Sequence, residues 1–420
     1  MIVLEIIHLT LLSTAKAVFT SAYFLVIVFV FYMLRKSQVI NLYGYKERFH
    51  SANQLIESVL QGIVIGVMGS VVMVIVGLPI KLSAAVLLLL PIAIILSLIH
   101  PRFLCFSYAL GILACFSFIL NGQNYFGINM PNLEIDISGL MALVGVLHLM
   151  EAILIYFVGD KNPIPIITKK NNKVIMGYIL QRFWPIPFSI LALNIGTIDG
   201  NVIDMPSWWP IIKPALDMNT MYFFALLPII SALGYRTITF SYEPKEKARA
   251  SSMKLSLYSI VLILFAMFSV HNPIIKIIGV MYMVIAHEGI MQWDQLVEHI
   301  KKPIYTLPKQ GVRVISIQSN GIADKLGMEV GDVIHRINGI DVKDTKDYKE
   351  VIEENYNFFT IDVEKKDGKK VQLDYQMLNT SKNLGLNYLP ENPKIIYQYE
   401  TLNEFNLLHI IFKKLKKEVK

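Results

Sequence analysis

Charge is scarce in this sequence: 17% of its 420 residues are Asp, Glu, Lys or Arg, against 54% hydrophobic. Soluble domains carry about 25% charged residues, so an ordinary soluble enzyme of this size is excluded and a membrane protein is expected. Cysteine is scarcer still. Cys105 and Cys115 stand ten residues apart in one apolar segment, where about 100° per residue puts them on different helix faces. On that count a disulfide framework and a cysteine metal site are both excluded. Gly-rich phosphate loops, a nucleophile elbow and a Cys/His sequence cluster are also missing, which removes the common nucleotide-binding and hydrolase signatures.

The charge that is present lies at one end. Residues 1–300 hold 19 Lys/Arg and 15 Asp/Glu (34 of 300), whereas residues 301–420 hold 20 and 17 (37 of 120). The net +7 divides as +4 and +3, and neither block is basic enough to read as a nucleic-acid binder. Apolar stretches long enough for a hydrocarbon core of about 30 Å recur at 17–34, 59–80, 82–99, 103–120, 137–158, 178–197, 221–235, 255–271 and 274–292. The expected fold is a polytopic α-helical bundle over 1–300 with about nine spans, seven to ten by the choice of boundaries. A highly charged domain at 304–392 and a basic amphipathic tail at 393–420 follow it. No small-residue cleavage site follows the first span, which reads as an anchor. Lys and Arg alternate strictly between loops, 14 on one side against Lys81, Lys213 and Lys276 on the other. Since cytoplasmic loops retain basic residues, everything after residue 300 is expected in the cytoplasm.

From about residue 304 the pattern changes to short alternating strands with turns: GVRVISI, GDVIHRING, FFTIDVEKK and KKVQLDYQ. Asp344 is placed to cap a helix in which Tyr348, Val351 and Ile352 recur at i, i+3, i+4. Gly327 and Gly331 bracket a turn, and Asn338-Gly339 is a tight-turn signal. Over GIADKLGMEVGDVIHRINGIDV at 321–342, the residues Ala323, Gly327, Gly331, Asp332, Ile334, Asn338 and Gly339 resemble the signature of bacterial PDZ domains. That resemblance implies peptide capture by addition of a strand to a sheet edge beside a helix. Leu384-Gly385-Leu386 is then the candidate loop at the groove entry, with Tyr348, Val351 and Ile352 either facing the groove or belonging to the core.

A PDZ domain joined to membrane spans raises an intramembrane zinc protease, whose HExxH motif needs two histidines one turn apart with a glutamate base. His287-Glu288 begins such a motif, but Met291 stands at the second histidine. The aspartate motif is expected after the PDZ domain, whereas Asp199-Gly200 precedes it. Four ionisable residues still lie inside apolar segments: His148, Glu151, His287 and Glu288. Unpaired, each costs about 2.5–3.5 kcal/mol near a bilayer centre, so partners are expected. Either a metal or proton site or a structural interhelical hydrogen-bond cluster satisfies them.

In the tail, Leu402, Phe405, Leu408, Phe412, Leu415 and Val419 recur at helical steps, with Lys413, Lys414, Lys416, Lys417 and Lys420 crowding the end. A basic amphipathic helix of this kind suits the lipids of an anionic leaflet, or folds back on the PDZ domain.

Taken end to end, the order of parts resembles the MinJ-like topological determinants of cell division, polytopic proteins with a terminal PDZ domain. The residues that carry it are Pro101-Arg102-Phe103-Leu104, Ser107 to Gly111, the His148/Glu151 span, QRFWPIP at 181–187 and the PDZ motif. It implies a non-enzymatic scaffold in a bacterial cell membrane, enriched at septum and poles, that bridges DivIVA and MinD and uses no cofactor or metal. A regulatory subunit of membrane proteolysis, or a transporter using the intramembrane His and Glu residues, is the alternative.

Overall fold

The structure is a computed structural model that describes residues 2–37, 51–83, 88–99, 101–120, 124–125, 128–129, 135–197, 203–213, 221–354, 358–376 and 384–393. The first apolar run forms α1 (Ile2–Val18) and α2 (Ser21–Ser37), bent by 64° from each other. Thr20 makes the break: its hydroxyl donates to the Ala17 carbonyl (2.7 Å) and accepts from Tyr23 N–H (3.2 Å), capping α2. Helix α3 (Ser51–Val76) leads to a short strand β1 (Pro79–Lys81). Helix α4 (Leu89–Ile99), a 3-10 turn at Pro101–Leu104 and α5 (Phe106–Leu120) form a helical pair of 11 and 15 residues. At 1.5 Å per residue these are about 16 and 22 Å long, too short for a core of about 30 Å. The two-residue strands β2 (Asn124–Tyr125) and β3 (Ile128–Asn129) pair antiparallel. Helix α6 spans Ile137–Val158, the interval read from hydropathy, and Asp136 accepts from Gly139 and Lys81 N–H groups, each at 2.9 Å.

The next two apolar segments depart from expectation. Residues 178–197 and 221–235, read as spans, lie instead in a long antiparallel hairpin. After β4 (Ile164–Lys170) come β5 (Lys173–Ile195) and β6 (Tyr222–Thr239), which pair from Tyr178↔Thr239 to Ile195↔Tyr222. An apolar run without helical periodicity does not distinguish a buried strand from a helix. Pro185, Pro187 and Pro228 tip the balance, because each would remove a helical hydrogen bond and clash with the preceding turn.

In the strand these prolines cost nothing. Ser189 N–H points away from β6 and donates to Ser70 Oγ of α3 (2.8 Å), so Pro185 and Pro187, four and two residues earlier, share that outward edge and have no donor to strand there. Gly62 and Gly66 bring α3 onto the same edge; a Cβ on either would lie 2.1 Å from the carbonyl oxygen of Pro185 or Pro187. Strand β5 is thus closed by β6 on one side and by β4, α3 and the parallel strand β1 on the other. Backbone that would be untenable facing lipid is enclosed by protein.

Helices α7 (Pro244–Ser269) and α8 (Pro273–Ile300) complete the bundle, with Asn272 capping α8. Among the described residues, four helices are long and apolar enough to cross a membrane: Ala52–Val76, Ile137–Val158, Pro244–Ser269 and Pro273–Ile300. The bent α1–α2 pair makes five if it counts as one span. The expected nine are not reached, because two became strands and the α4–α5 pair is short.

The chain then enters β7 (Tyr305–Thr306), which pairs with Ile175 and Met176 of β5. A compact unit follows, of β8 (Val312–Ile317), α9 (Ile322–Lys325), β9 (Val333–Ile337), β10 (Ile340–Asp341), α10 (Thr345–Glu353), β11 (Phe358–Glu364), β12 (Lys370–Gln376) and β13 (Leu386–Tyr388). Its sheet order is β12-β11-β9-β8-β13, with β10 against β9. It has its own buried core, while Tyr305, Ile315 and Leu389 extend the core of the bundle. The junction is polar as well as apolar: Glu243 accepts from Tyr305 Oη (2.5 Å) and from Lys366 Nζ (3.0 Å). Burial, with Glu243 second, pushes the Tyr305 hydroxyl well above the usual phenol range. The basic tail at 393–420 lies outside the described residues from 394 onward.

Candidate functional site

Two places combine chemistry with a built setting. The first is the edge of the C-terminal unit. Gly327, Gly331, Asn338 and Gly339 all have positive φ (68°, 101°, 52° and 79°), as the turn reading requires. Asp332 is fully buried; its carboxylate accepts from Glu329 N–H (2.8 Å) and Lys365 Nζ (2.9 Å), fastening that turn to the β11–β12 hairpin. These signature residues hold the turns of the fold.

The groove elements lie at the other end of the sheet. Among the described residues strand β13 is terminal in the sheet order and pairs with β8, from Leu386↔Ile317 to Tyr388↔Val314. Helix α10 runs beside it, with Asp344 accepting from the N–H groups of Lys346 (2.8 Å) and Asp347 (2.9 Å) at its start. Those two backbone donors hold the Asp344 carboxyl below the usual carboxylate range. The rings of Tyr348 in α10 and Tyr388 in β13 meet edge-on at 5.0 Å.

Ahead of β13, Leu384 O accepts from Ala323 N–H (2.8 Å) and Gly385 O from Gln318 N–H (2.7 Å). Gly385 has φ +72°, and a Cβ there would lie 3.2 Å from Gly321 Cα. The structure therefore brings together all six residues singled out for peptide binding. Leu384, Leu386, Tyr348 and Val351 are buried in the core of the unit, and Ile352 is partly buried at its margin. Their burial matches the alternative given for the helix residues, that they belong to the core between β13 and α10.

The second place is the middle of the bundle. His148 lies in the middle of the 22-residue α6 and His287 in the middle of the 28-residue α8. The tip of the α4–α5 pair reaches both. Cys105 Sγ lies 3.1 Å from His148 Nε2 and 3.8 Å from His287 Nε2. Tyr108 Oη donates to Glu288 Oε2 (2.7 Å), and Arg102 pairs with Glu288 Oε1 (3.3 Å). Of the four residues expected to find partners, His148, His287 and Glu288 converge on this tip, and Glu151 stands one turn beyond His148 on the same helix. Arg102, read as a loop charge marking the cytoplasmic side, pairs with Glu288.

Cys105 was missed. The exclusion of a cysteine metal site rested on the spacing of the two cysteines, and a ligand set that draws single residues from three distant elements leaves no such spacing. Cys105, His148 and His287 place their donor atoms within 4.8 Å of one another. The one available sequence signal is a cysteine immediately after the Pro101–Leu104 break between two apolar helices.

Comparison with known families matches residues 313–360 to the PDZ domain. This interval covers β8, α9, β9, β10 and α10 and runs into β11, and the chain carries a PDZ domain there. No curated protein matches the chain.

Proposed function

We propose that the protein is a non-enzymatic membrane scaffold that recruits cytoplasmic partners through its PDZ domain. The observation that carries this reading is the position of β13: it ends the sheet beside α10, with Leu384-Gly385-Leu386 at its start. A strand at a sheet edge offers unpaired backbone groups on its outer side, and an extended peptide gains main-chain hydrogen bonds by adding there. The apolar helices supply attachment to a membrane, and the Glu243 contacts with Tyr305 and Lys366 tie the PDZ domain to the bundle. The loop charges favour a cytoplasmic PDZ domain. Exchanging two apolar spans for a hairpin that also goes out and returns preserves that alternation.

The finer reading rests on the resemblance to MinJ-like proteins. On it, the PDZ domain bridges DivIVA and MinD and so helps to place the division site, with the protein enriched at septum and poles. The unit boundaries at about 300 and 393, and a basic tail that adds lipid contacts, rest instead on the charge distribution and helical spacing of the sequence. A fluorescent fusion of the full chain tests it: concentration at mid-cell and poles in dividing cells is expected, and a uniform envelope signal throughout the cycle contradicts it.

A further inference from the structure

We propose that Cys105, His148 and His287 form a binding site for a borderline-soft divalent cation of the zinc class in the middle of the helical bundle. The argument begins with protons. His148 Nδ1 lies 2.8 Å from the Val144 carbonyl, which accepts only, so Nδ1 carries the hydrogen and Nε2 presents a lone pair. Tyr108 Oη donates to Glu288, so its oxygen accepts from His287 Nδ1–H (3.2 Å), and His287 Nε2 is likewise an acceptor. Both lone pairs face Cys105 Sγ. A neutral thiol has one proton for two acceptors. His148 is only 6% exposed, and a buried acceptor without a donor is costly.

A cation resolves the mismatch, because all three groups donate electron pairs to it. Metal-bound histidines characteristically give their other ring N–H to a carbonyl or a hydrogen-bonded oxygen, as both do here. The sulfur-to-nitrogen spacing also fits. Zn–S of about 2.3 Å and Zn–N of about 2.0–2.1 Å at a tetrahedral angle put sulfur and nitrogen about 3.6 Å apart. The observed 3.1 and 3.8 Å bracket that value. One thiolate with two imidazoles suits zinc, whereas calcium and magnesium take oxygen donors.

Binding releases the Cys105 proton to solvent. The Cys105 thiolate offsets one of the dication's two charges inside the apolar bundle. The cation would pin the tip of the α4–α5 pair to α6 and α8. This inference is independent of the PDZ reading.

The test uses the full chain purified in detergent, with zinc as the probe. One zinc per chain is expected for the wild type and for Cys115→Ser. More than tenfold weaker zinc binding, measured against a chromophoric chelator, is expected for Cys105→Ser and for His287→Gln, with unchanged helical content. Cobalt substitution should give a sulfur-to-metal charge-transfer band that Cys105→Ser abolishes. Zinc should also protect Cys105 from a membrane-permeant maleimide while Cys115 still reacts. Zinc well below one per chain in the wild type overturns the proposal, as does equal affinity in a folded Cys105→Ser protein.

Discussion

Tyr388 of β13 stands edge-on to Tyr348 of α10 with ring centroids 5.0 Å apart, so the terminal strand of the PDZ sheet and its neighbouring helix are held side by side by one aromatic pair. Such a pair contributes roughly 0.5–1.5 kcal/mol beyond burial. Tyr388→Ala should loosen β13 while leaving β8, β9 and β11 paired. Hydrogen exchange on the full chain checks this: faster exchange confined to 384–393 and to α10 is expected.

The entry loop responds differently to different substitutions. Gly385 sits at φ +72° with Gly321 Cα beside it, so a bulky Gly385→Trp strains the backbone as well as filling the cleft. Ile352, at the margin of the core, is the cleaner site. Ile352→Glu should preserve the exchange protection of β8 and β9 and remove peptide binding, whereas Gly385→Trp should lower both.

Acid should release α10. The Asp344 pKa is lowered by the amides of Asp347 and Lys346, so its folded value lies below its unfolded one. The stabilisation is then present above the unfolded carboxylate range, about pH 4, and is lost as pH falls through the folded value. Exchange in α10 should rise below that range in the wild type, and Asp344→Asn should flatten the pH dependence.

A buried ion cluster locks the PDZ-proximal end of the bundle. Lys247 is 2% exposed and pairs with Glu298 (3.2 Å) and Asp294 (3.6 Å), while Glu298 accepts from the Phe240 and Ser241 N–H groups. Removing one partner of a buried pair costs about 3–5 kcal/mol. Lys247→Met should lower the melting temperature in detergent substantially, and Lys247→Met combined with Glu298→Gln should recover part of the loss.

The contact of α3 with β5 should tolerate no Cβ. Gly66→Ala places a methyl 2.1 Å from the Pro187 carbonyl oxygen, which displaces backbone and destabilises by about 1–3 kcal/mol or more. A lower melting temperature for Gly66→Ala, and little change for Gly289→Ala, which has open space at its Cβ, is the expected pattern.

Much of this architecture was legible in the sequence where local rules are strong. Helix α6 runs over the interval its hydropathy marks, because a predominantly apolar run of 22 residues flanked by Asp136 and Gly159 has few alternatives. The PDZ turns were legible because positive φ selects Gly and Asn at fixed offsets. The β5–β6 hairpin was not: its composition matches a span, and its strand character depends on α3 offering Gly62, Gly66 and Ser70 to the edge that carries Pro185 and Pro187. The central polar cluster was half legible. His148, Glu151, His287 and Glu288 stand out as ionisable groups among apolar ones, but Cys105 looks like any small apolar residue until the fold places it between two imidazoles.

The scaffold account is tested most directly by recovering the proposed partners, DivIVA and MinD, with the full-length protein solubilised from membranes, wild type against Ile352→Glu. The account predicts that the wild type retains both and that Ile352→Glu, folded by hydrogen exchange, loses the one that docks in the β13–α10 cleft. Equal recovery of both by the two proteins, or of neither by the wild type, contradicts it.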